Sequence, residues 1–507
     1  MAFFCCRRNM YYPDLETFKK LTREGNLIPV YREILADVET PVTALSKLAG
    51  KSHVFLFESV EGGEKWGRYS FLGADPHVVF RIRGEEVEIR NNGQIKRFGH
   101  EGDPLKHLQD LLKKYRPVQA PGLPRFYGGA VGYLGYGMVR YFERLPARAP
   151  DDLGSDEAVF LLTDTLILFD NVRHTLKIVA CAFIGEDGAS PEESYREATQ
   201  KIDVLMESLQ EAAPFPPLAA SAQDGMKVES NLTAAAFKEM VRRAKDYILS
   251  GDILQVVLSQ RFQVEKTIDP VHLYRALRFV NPSPYLFFLK AGDITLIGSS
   301  PEVMVRLEEG VAELRPIAGT RRRGKTEQED RTLADELLED PKEKAEHVML
   351  VDLGRNDLGR IARTGSVQVN QLMAVERYSH VMHLVSHVQA QLADGKDGFD
   401  VIRAAFPAGT LTGAPKVRAM EIIEKLEPNQ RGPYGGAVGY FSFSGNLDFG
   451  ITIRTLLLKN NRIFIQAGAG IVADSDPDAE YQETLNKAEG MLKAIHLAAS
   501  GFEIMDL

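Results

Sequence analysis

Two segments of this 507-residue chain each contain an Asp-Pro dipeptide followed by two glutamates that lie three residues apart. Aspartate is a favoured helix N-cap and proline fits the first helical turn, so each segment predicts a helix with both carboxylates on one face. A single pair is more typical of a solvated helix face, but carboxylates gathered from two helices form the oxygen-rich site that Mg²⁺ prefers. The caps are Asp340 and Asp476, and the glutamates are Glu343, Glu346, Glu480 and Glu483.

Glycine-rich turns and one histidine are further candidates for chemistry. The turns cover residues 315–320, 406–416 and 466–472, and their glycines would let backbone N–H groups approach an anion. None has the spacing of a P-loop or a dinucleotide-binding loop, and each could be an ordinary turn. His383 lies in an apolar, strand-like run, where a histidine is commonly a satisfied core residue but can also donate a proton to a leaving oxygen.

The composition limits the class of protein. Hydrophobic residues make up 44% and charged residues 26% of the chain, which predicts a packed core rather than disorder. A net charge of -9 disfavours binding to nucleic acids. Cys5, Cys6 and Cys181 have no metal-like spacing and cannot build a disulfide framework, which indicates a reducing, cytoplasmic location. No apolar run reaches about 18 residues, so we expect no membrane span.

Elements of mixed type must position these groups. Segments 53–73, 78–98 and 158–184 combine alternating apolar residues with Gly or Asn turns and predict antiparallel strands, the last segment as one strand pair. Residues 103–115 and 191–210 predict helices. The mixed order of strands and helices, with several hairpins, favours an α+β fold.

A linking segment and one repeat bear on the organisation of the chain. The stretch 211–230 is rich in Pro, Ala and Ser and predicts a link between an N-terminal region, 1–225, and a C-terminal region, 226–507. The heptapeptide Tyr127–Tyr133 recurs letter for letter as Tyr434–Tyr440. An internal duplication would explain this repeat, and so would two unrelated Gly-rich strands.

A series of motifs along residues 233–495 resembles, in sequence and in order, the motifs of the chorismate-utilising enzymes. This family includes the anthranilate, aminodeoxychorismate, isochorismate and salicylate synthases. The N-terminal segment 55–71 is also similar to that of anthranilate synthases. The resemblance implies a two-sheet antiparallel β core with helices packed outside it and an internal pseudo-duplication. The motifs that carry it include GSSPE (298–302), DPKEKAEHVMLVDLGRNDLGR (340–360), FPAGTLTGAPKVRAMEII (406–423) and AGAGIVADSDPDAEYQETLNKA (467–488).

Two positions separate the branches of this family. Isochorismate and salicylate synthases have a water-activating lysine where this chain has Gln255, and glutamine cannot act as that base. Aminodeoxychorismate synthases typically carry a nucleophilic lysine where this chain has Ala318. The resemblance therefore implies a lyase that adds ammonia at carbon 2 of chorismate and releases anthranilate and pyruvate. An aminodeoxychorismate synthase, a synthase that stops at the amino intermediate and a catalytically inactive sensor are the alternatives.

The resemblance also implies a set of site residues. Mg²⁺ is expected on the four glutamates, with Glu346 and Glu483 as the principal ligands. His383 is expected to assist departure of the carbon 4 hydroxyl, with Thr410 and Gln255 beside the reacting ring. The expected substrate-binding residues are Gly319, Thr320, Tyr434, Arg454, Gly468, Ala469, Gly470 and Lys487.

A partner and an inhibitor follow from the same resemblance. The chain has no cysteine in a Gly-x-Cys-x-Gly setting and so no recognisable glutaminase. Ammonia is therefore expected from a separate glutamine amidotransferase subunit, in a heterotetramer of two synthase and two glutaminase chains. Tryptophan is expected to inhibit from a pocket between the two regions, although Pro284-Tyr285 could also be a plain turn. The expected tryptophan-binding residues are Glu58, Ser59, Asn281, Pro284, Tyr285 and Leu286.

Overall fold

Two antiparallel β-sheets of twelve strands each form the centre of the protein in a computed structural model. The structure describes residues 11–59, 67–91, 93–146, 149–185, 189–213, 215, 226–378 and 381–502. The strands are β1 (Leu27–Leu35), β2 (His53–Glu58), β3 (Tyr69–Ala74), β4 (Val78–Arg83), β5 (Glu86–Asn91), β6 (Gln94–Gly99), β7 (Gly129–Leu134), β8 (Ala158–Thr163), β9 (Thr165–Asp170), β10 (Thr175–Phe183), β11 (Val228–Ser230), β12 (Gln255–Glu265), β13 (Tyr285–Ala291), β14 (Ile294–Ser300), β15 (Val303–Glu308), β16 (Val311–Leu314), β17 (Ile317–Arg322), β18 (Gln368–Arg377), β19 (Val381–Gln391), β20 (Gly413–Ala414), β21 (Ala437–Ser442), β22 (Leu447–Ile451), β23 (Thr455–Lys459) and β24 (Arg462–Ile471).

Helices cover the outer faces of both sheets. The helices are α1 (Leu15–Leu21), α2 (Pro41–Leu48), α3 (Leu105–Leu112), α4 (Pro191–Gln210), α5 (Ala234–Leu249), α6 (Pro270–Val280), α7 (Glu327–Glu339), α8 (Pro341–Gly359), α9 (Gly398–Ala405), α10 (Lys416–Leu426) and α11 (Pro477–Ala499). The helices expected within 103–115 and 191–210 are confirmed as α3 and α4. No helix in the described part of the chain is both long and apolar enough to cross a membrane.

Both sheets combine strands from the N-terminal and C-terminal regions. The first sheet has the order β1-β10-β9-β3-β2-β13-β14-β23-β24-β12-β11, with β20 also paired to β12. The second has the order β17-β19-β16-β15-β22-β21-β7-β8-β4-β5-β6, with β18 paired to β19. The expected link between the regions falls largely on 214 and 216–225, outside the described residues. The boundary at 225 stays a prediction, but strands on its two sides share sheets.

The two copies of the heptapeptide meet at the centre of the second sheet. Strands β7 and β21 pair antiparallel, with Gly132 opposite Gly439. From this pair the sheet continues outward as β8-β4-β5-β6 on one side and β22-β15-β16-β19 on the other. In the first sheet, β2-β3-β9-β10-β1 likewise mirrors β13-β14-β23-β24-β12. The strands of the two halves correspond in chain order, which confirms the internal duplication.

Apolar side chains on both faces of the strands build four layers, helix–sheet–sheet–helix. In β13, Phe287 and Leu289 belong to the cluster between the two sheets. Phe288, between them in sequence, belongs to the cluster that joins the first sheet to its helices. Because successive side chains on a strand point to opposite faces, a strand in this position needs apolar residues throughout.

Segment 158–184 corrects one expectation, because it forms three strands instead of one pair. Strand β8 belongs to the second sheet, whereas β9 and β10 belong to the first, so the chain crosses between the sheets at Asp164. All six residues of β8 are buried. Burial on both faces removes the alternation that would have revealed the crossing from the sequence.

Candidate active site

A cavity of about 780 Å³ lies where β12, β17, β19 and β24 meet helices α8 and α11. Its volume is that of a small-molecule site. All the expected catalytic, substrate-binding and metal-binding residues except Ala469 line this cavity. The chain therefore brings together side chains that are up to about 230 positions apart in sequence, such as Gln255 and Lys487.

The four glutamates enter the cavity from two capped helices. Asp340 accepts hydrogen bonds from the backbone N–H groups of Lys342 (3.0 Å) and Glu343 (3.3 Å) at the start of α8. Asp476 does the same for the first turn of α11, with both bonds at 3.0 Å. The two predicted Asp-Pro helix starts are confirmed. Each cap fixes the turn that carries the first glutamate of its pair.

The negative charge on each of these carboxylates disfavours ionisation of its neighbours. Burial raises the pKa of Glu346, and the charges of Glu343 and Glu483 raise it further. Gln255 opposes this rise, because its Nε2 donates to Glu346 Oε1 at 3.1 Å. Burial also raises the pKa of Glu480, and Glu483 adds to that rise. Such raised pKa values are typical of carboxylates that lie close together in a partly dehydrated cavity with too little positive charge to neutralise them.

The donor set fits a hard divalent cation, since carboxylate oxygens are Mg²⁺ ligands and a cation would relieve the repulsion. Glu343 already contacts Arg321 (3.3 Å) and Glu483 contacts Lys487 (2.5 Å). Within the described ranges, no three His, Cys, Asp or Glu side chains lie close enough to hold a metal ion by themselves. A cation at this place would therefore need water or substrate oxygens as well, which is usual for Mg²⁺.

Positive charge faces the acidic side chains. Arg454 lines the cavity and makes no ion pair with another described residue, and burial lowers the pKa of its guanidinium. Its backbone has φ of +49°, in the left-handed region that costs energy for a residue with a Cβ. A partly buried guanidinium without a carboxylate partner is suited to an anionic ligand.

His383 is held by the neighbouring strand. Its Nδ1 lies 3.0 Å from Gly319 O, and because a carbonyl only accepts, Nδ1 carries the hydrogen. Thr320 Oγ1 lies at the same distance from Nδ1. Burial lowers the pKa of His383, although the contact with Gly319 opposes this. The ring is therefore neutral near pH 7, with an unprotonated Nε2 that can accept a proton.

A bulge in β17 creates this arrangement. The pairing of β17 with β19 shifts register between Ala318 and Thr320, and Gly319 takes a φ of +65°. A Cβ at Gly319 would lie 2.9 Å from Leu337 Cδ1 and 3.1 Å from Glu343 Oε2. Glycine is thus required both by the backbone and by the space beside Glu343.

Glu302 is a cavity residue that the sequence analysis did not select. It is the last residue of the GSSPE motif, and it accepts a hydrogen bond from Thr410 Oγ1 at 2.9 Å. Burial raises the pKa of Glu302, against the lowering effects of Thr410, Lys487 and Arg454. A carboxyl group with a raised pKa can act as a proton donor. The motif was visible in the sequence, but nothing in it indicated burial beside Thr410.

Strand β24 forms the wall beside Lys487. Lys487 Nζ donates to Gly468 O at 3.0 Å. A Cβ at Gly468 would lie 2.8 Å from Tyr434 Oη, so the glycine allows the tyrosine to approach the strand. Ala469 does not line the cavity but lies in the apolar core with no exposed surface. Side chains alternate along a strand, so the Ala469 side chain points away from the cavity, and the expected contact of its backbone with substrate stays a prediction.

A second cavity contains all but one of the residues expected to bind tryptophan. Asn281 is the exception, because it lines the first cavity instead, where the Ser299 hydroxyl donates to its carbonyl. Asn281 directly follows the end of α6, and the chain passes from one cavity to the other within the next three residues. The expected residues in the second cavity are Glu58, Ser59, Pro284, Tyr285 and Leu286.

Buried charges surround this second cavity. Asp448 contacts Arg306 and Arg125, each at 2.8 Å, and accepts a hydrogen bond from Tyr285 Oη at 2.7 Å. Although burial raises it, the pKa of Asp448 is held below its usual value by the two arginines. Arg125 belongs to the N-terminal region and the other three residues to the C-terminal region, so the network joins the two regions.

The sequence profile of the chorismate binding enzymes matches residues 53–493, which include nearly all strands of both sheets and the cavity. The chain belongs to this family and is an enzyme. Anthranilate synthase component 1 of Aquifex aeolicus (strain VF5) is 48% identical over 492 residues, which cover 97% of this chain and 99% of that protein. Component 1 of Acetivibrio thermocellus is 47% identical over 495 residues, with 96% and 99% covered.

Solved structures have the same architecture. Anthranilate synthase component I from Streptococcus pneumoniae TIGR4 is similar with a TM-score of 0.73 at 38% identity, covering 90% of this chain and 98% of that one. The menaquinone-specific isochorismate synthase of Escherichia coli gives a TM-score of 0.68 at 21% identity, with 95% and 98% covered. At that identity the second similarity concerns the fold alone. The expected α+β fold with a two-sheet core is confirmed.

Proposed function

We propose that this chain is the synthase subunit of an anthranilate synthase, which uses Mg²⁺, chorismate and ammonia to form anthranilate and pyruvate. Similarity over nearly the full length to component 1 relatives supports this. The observation that carries the choice of reaction is the chemistry at Gln255 and Ala318. Gln255 directs its amide to Glu346, and Ala318 lines the cavity, so neither place offers the amine that would activate water or attack the ring.

Charge in the cavity suits an anionic substrate beside a cation. Arg454 and Lys487 bind carboxylate oxygens of chorismate, since Arg454 has no other ion-pair partner in the described residues. Glu346 and Glu483, with Glu343 and Glu480, would hold Mg²⁺. Bound Mg²⁺ offsets the negative charge of the substrate's carboxylates and draws electrons from the ring.

His383 and Glu302 are the two residues that can donate a proton to the leaving oxygen. Ammonia adds at carbon 2 while the hydroxyl at carbon 4 leaves, and the leaving oxygen needs a proton. His383, which the sequence suggested for this role, is neutral without substrate and donates only after it gains a proton at Nε2. Glu302 keeps its proton to higher pH than an ordinary glutamate, so it can supply one directly or through Thr410. Loss of the carbon 2 proton and of enolpyruvate then makes the ring aromatic.

The proposed regulation by tryptophan rests on the segment between the two cavities. Asn281 and Ser283 line the candidate active site, while Pro284, Tyr285 and Leu286 line the second cavity. A ligand that repositions Tyr285 would therefore move residues of the active-site wall only two positions away. In Ser59→Phe, which fills the second cavity, tryptophan should no longer inhibit, whereas Ser250→Phe, at an exposed position, should leave inhibition intact.

The decisive experiment supplies the chain with chorismate, ammonium and Mg²⁺ and records anthranilate fluorescence and pyruvate release. Both products should form, chelation of Mg²⁺ should stop their formation, and addition of tryptophan should reduce it. Formation of para-aminobenzoate with a partner lyase would favour the aminodeoxychorismate branch. An unchanged chorismate concentration under these conditions would refute the proposed reaction.

The proton-donor role of His383 has its own test. His383→Ala should lower kcat by about 100-fold, the lower range for general acid–base catalysis, with a smaller change in KM. His387→Ala is the matched control, since His387 lies on the same strand but does not line the cavity. Full activity in His383→Ala would leave Glu302 as the sole proton donor.

A further inference from the structure

Tyr378 lines the candidate active site, and the proposed reaction assigns it no role. Its ring lies edge-to-face against the imidazole of His383, with the ring centroids 5.7 Å apart and the ring planes at 61°. The backbone N–H of Tyr378 donates to Val381 O at 2.8 Å, which fixes Tyr378 between the end of β18 and the start of β19. Aromatic pairs of this geometry attract one another beyond the burial of their surfaces. Tyr378 is therefore placed to hold the imidazole.

Glu376 in turn holds Tyr378. Glu376 lies directly opposite His383 in the pairing of β18 with β19. Because a carboxylate only accepts, Tyr378 Oη donates to Glu376 Oε2, at 2.9 Å. Arg315 donates to the other oxygen, Oε1, at 2.5 Å, and the side chains of Arg315 and Glu376 are only 10% and 32% exposed. Both oxygens of Glu376 are thus engaged, and its charge lies in partly dehydrated surroundings where electrostatic effects are stronger than in water.

The ring of His383 needs a contact of this kind. Its hydrogen-bond contacts with Gly319 O and Thr320 Oγ1 are both at Nδ1, on one side of the ring. They determine which nitrogen carries the hydrogen, but they leave the ring free to tilt about that nitrogen. In the proposed reaction Nε2 has to gain a proton and deliver it to an oxygen within hydrogen-bond reach. The contact with Tyr378 restricts the tilt and so fixes the direction of Nε2.

The charge of Glu376 also acts on His383. Burial lowers the pKa of His383 most, and Arg454, directly before β23, lowers it further. The contact with Gly319 on β17 and the charge of Glu376 on β18 both raise this pKa. A carboxylate near a catalytic histidine commonly stabilises the imidazolium. Loss of Glu376 would therefore make the charged form of His383 harder to reach.

We propose that Tyr378 and Glu376 are positioning residues for the proposed reaction, in which Tyr378 restrains the ring of His383 and Glu376 stabilises its charged form. The inference rests on the proposed function, because it concerns the proton that His383 would deliver. Both residues act through His383 and not on the reacting atoms. Their substitution should therefore matter only while His383 is present.

A double-mutant cycle tests this dependence with chorismate, ammonium and Mg²⁺. Tyr378→Leu removes the ring contact and should lower kcat about ten-fold, and Glu376→Gln should lower it roughly three- to ten-fold. Tyr378→Phe keeps the ring but loses the bond to Glu376, so its loss should be smaller, and it serves as the test if Tyr378→Leu does not fold. In a His383→Ala chain the same substitutions should change kcat by less than about two-fold, because residues that act as a unit are not additive. Equal losses with and without His383 would overturn the proposal.

A second measurement does not depend on activity. NMR of isotope-labelled histidine rings follows the titration of His383 without substrate, and the signal of His383 is the one missing in His383→Ala. Glu376→Gln should move this titration to lower pH, because it removes a negative charge that favours the protonated ring. Glu327→Gln, at an exposed position on α7, changes the net charge equally and should leave the titration in place. An unchanged midpoint in Glu376→Gln would overturn the role of Glu376. Failure of the parent to convert chorismate with ammonium would instead refute the proposed function, while the titration would still test the effect of Glu376 on His383.

Discussion

At the scale of single residues, Arg454 and Glu302 determine how an anionic substrate would be received. Arg454 has no carboxylate partner among the described residues and a left-handed backbone, and Glu302 has a raised pKa caused first by burial. The strained backbone of Arg454 positions its guanidinium before a ligand binds. Such a preorganised guanidinium is suited to binding a carboxylate. A carboxyl group whose pKa is raised complements it as a proton donor. These two residues therefore give separate predictions, one for binding and one for catalysis.

Replacing Arg454 should weaken binding of chorismate. Arg454→Ala should lower kcat/KM for chorismate roughly 10- to 100-fold, because hydrogen bonds to charged groups contribute about 1.5–3 kcal/mol. Steady-state kinetics with ammonium as the nitrogen source measures this. Arg462→Ala is the control, since Arg462 forms an exposed pair with Glu265 at 3.0 Å and should leave kcat/KM unchanged. Equal kcat/KM in Arg454→Ala and the parent would remove Arg454 from the binding site.

Replacing Glu302 should affect catalysis more than binding. Glu302→Gln keeps the size and an acceptor for Thr410 but removes the acidic proton, so kcat should fall about 100-fold or more. The parent should lose kcat as the pH rises through the pKa of Glu302, because the donor is active only when protonated. That alkaline limb should be missing in Glu302→Gln, and Glu309→Gln, at the exposed turn between β15 and β16, should retain it. An unchanged pH profile in Glu302→Gln would assign the limb to another group.

At the scale of elements, local features of two helices and two strands set the geometry of the cavity. The Asp340 and Asp476 caps fix the first turns of α8 and α11, from which the glutamates project. The bulge at Gly319 turns a carbonyl of β17 toward His383. A bulge commonly redirects a strand next to a site. The cavity thus depends on backbone features as much as on its side chains.

A substitution at the bulge should separate backbone strain from function. Gly319→Ala and Gly310→Ala both place a Cβ at positive φ, +65° and +79°, and each should cost about 1–2 kcal/mol of unfolding free energy. Only the Cβ at Gly319 meets other atoms, Leu337 and Glu343, whereas nothing lies within 4 Å of one at Gly310. Denaturant unfolding should show a loss in both variants that is larger in Gly319→Ala because of this crowding, and steady-state assays should show reduced activity for Gly319→Ala alone. Equal activity in the two variants would mean that the bulge does not position the site.

At the scale of the whole molecule, two related halves share both sheets. Strands β7 and β21, which carry the repeated sequence, pair at the join in the second sheet, and β2 pairs with β13 at the join in the first. Each half therefore lacks a complete sheet without the other. The second cavity and its Asp448 network also join the two regions, which is where a regulatory ligand would act on both. We expect the described halves to unfold together.

The join between the halves can be tested at Gly132. A Cβ there would lie 1.9 Å from Val159 O and 2.8 Å from Phe160 Cα, so Gly132→Ala should cost about 1–3 kcal/mol or more through overpacking. Thermal unfolding should show one transition shifted to lower temperature for the whole chain. Gly99→Ala is the control, since a Cβ on that edge strand lies 3.8 Å from its nearest neighbour and should shift little. A second, separate transition in Gly132→Ala would show that the halves fold independently.

Features whose causes lie among near neighbours could be predicted from the amino-acid sequence. The Asp-Pro caps, the helices at 105–112 and 191–210 and the repeated heptapeptide could be read directly because their causes lie within a few positions of each other. The order of the family's motifs also indicated the fold and a set of catalytic, substrate-binding and metal-binding residues, all of which except Ala469 line the cavity. The choice of the proposed reaction depends on two single positions, Gln255 and Ala318.

Features that depend on strand pairing and burial became visible only in the folded chain. The crossing between sheets at Asp164, the inward face of Ala469 and the position of Asn281 on the first cavity follow from strand register and packing. The raised pKa of Glu302 exists only because the folded chain removes water from that carboxyl group. Strand register and the burial of side chains are set by contacts between residues that are often hundreds of positions apart. A local sequence pattern therefore cannot predict them.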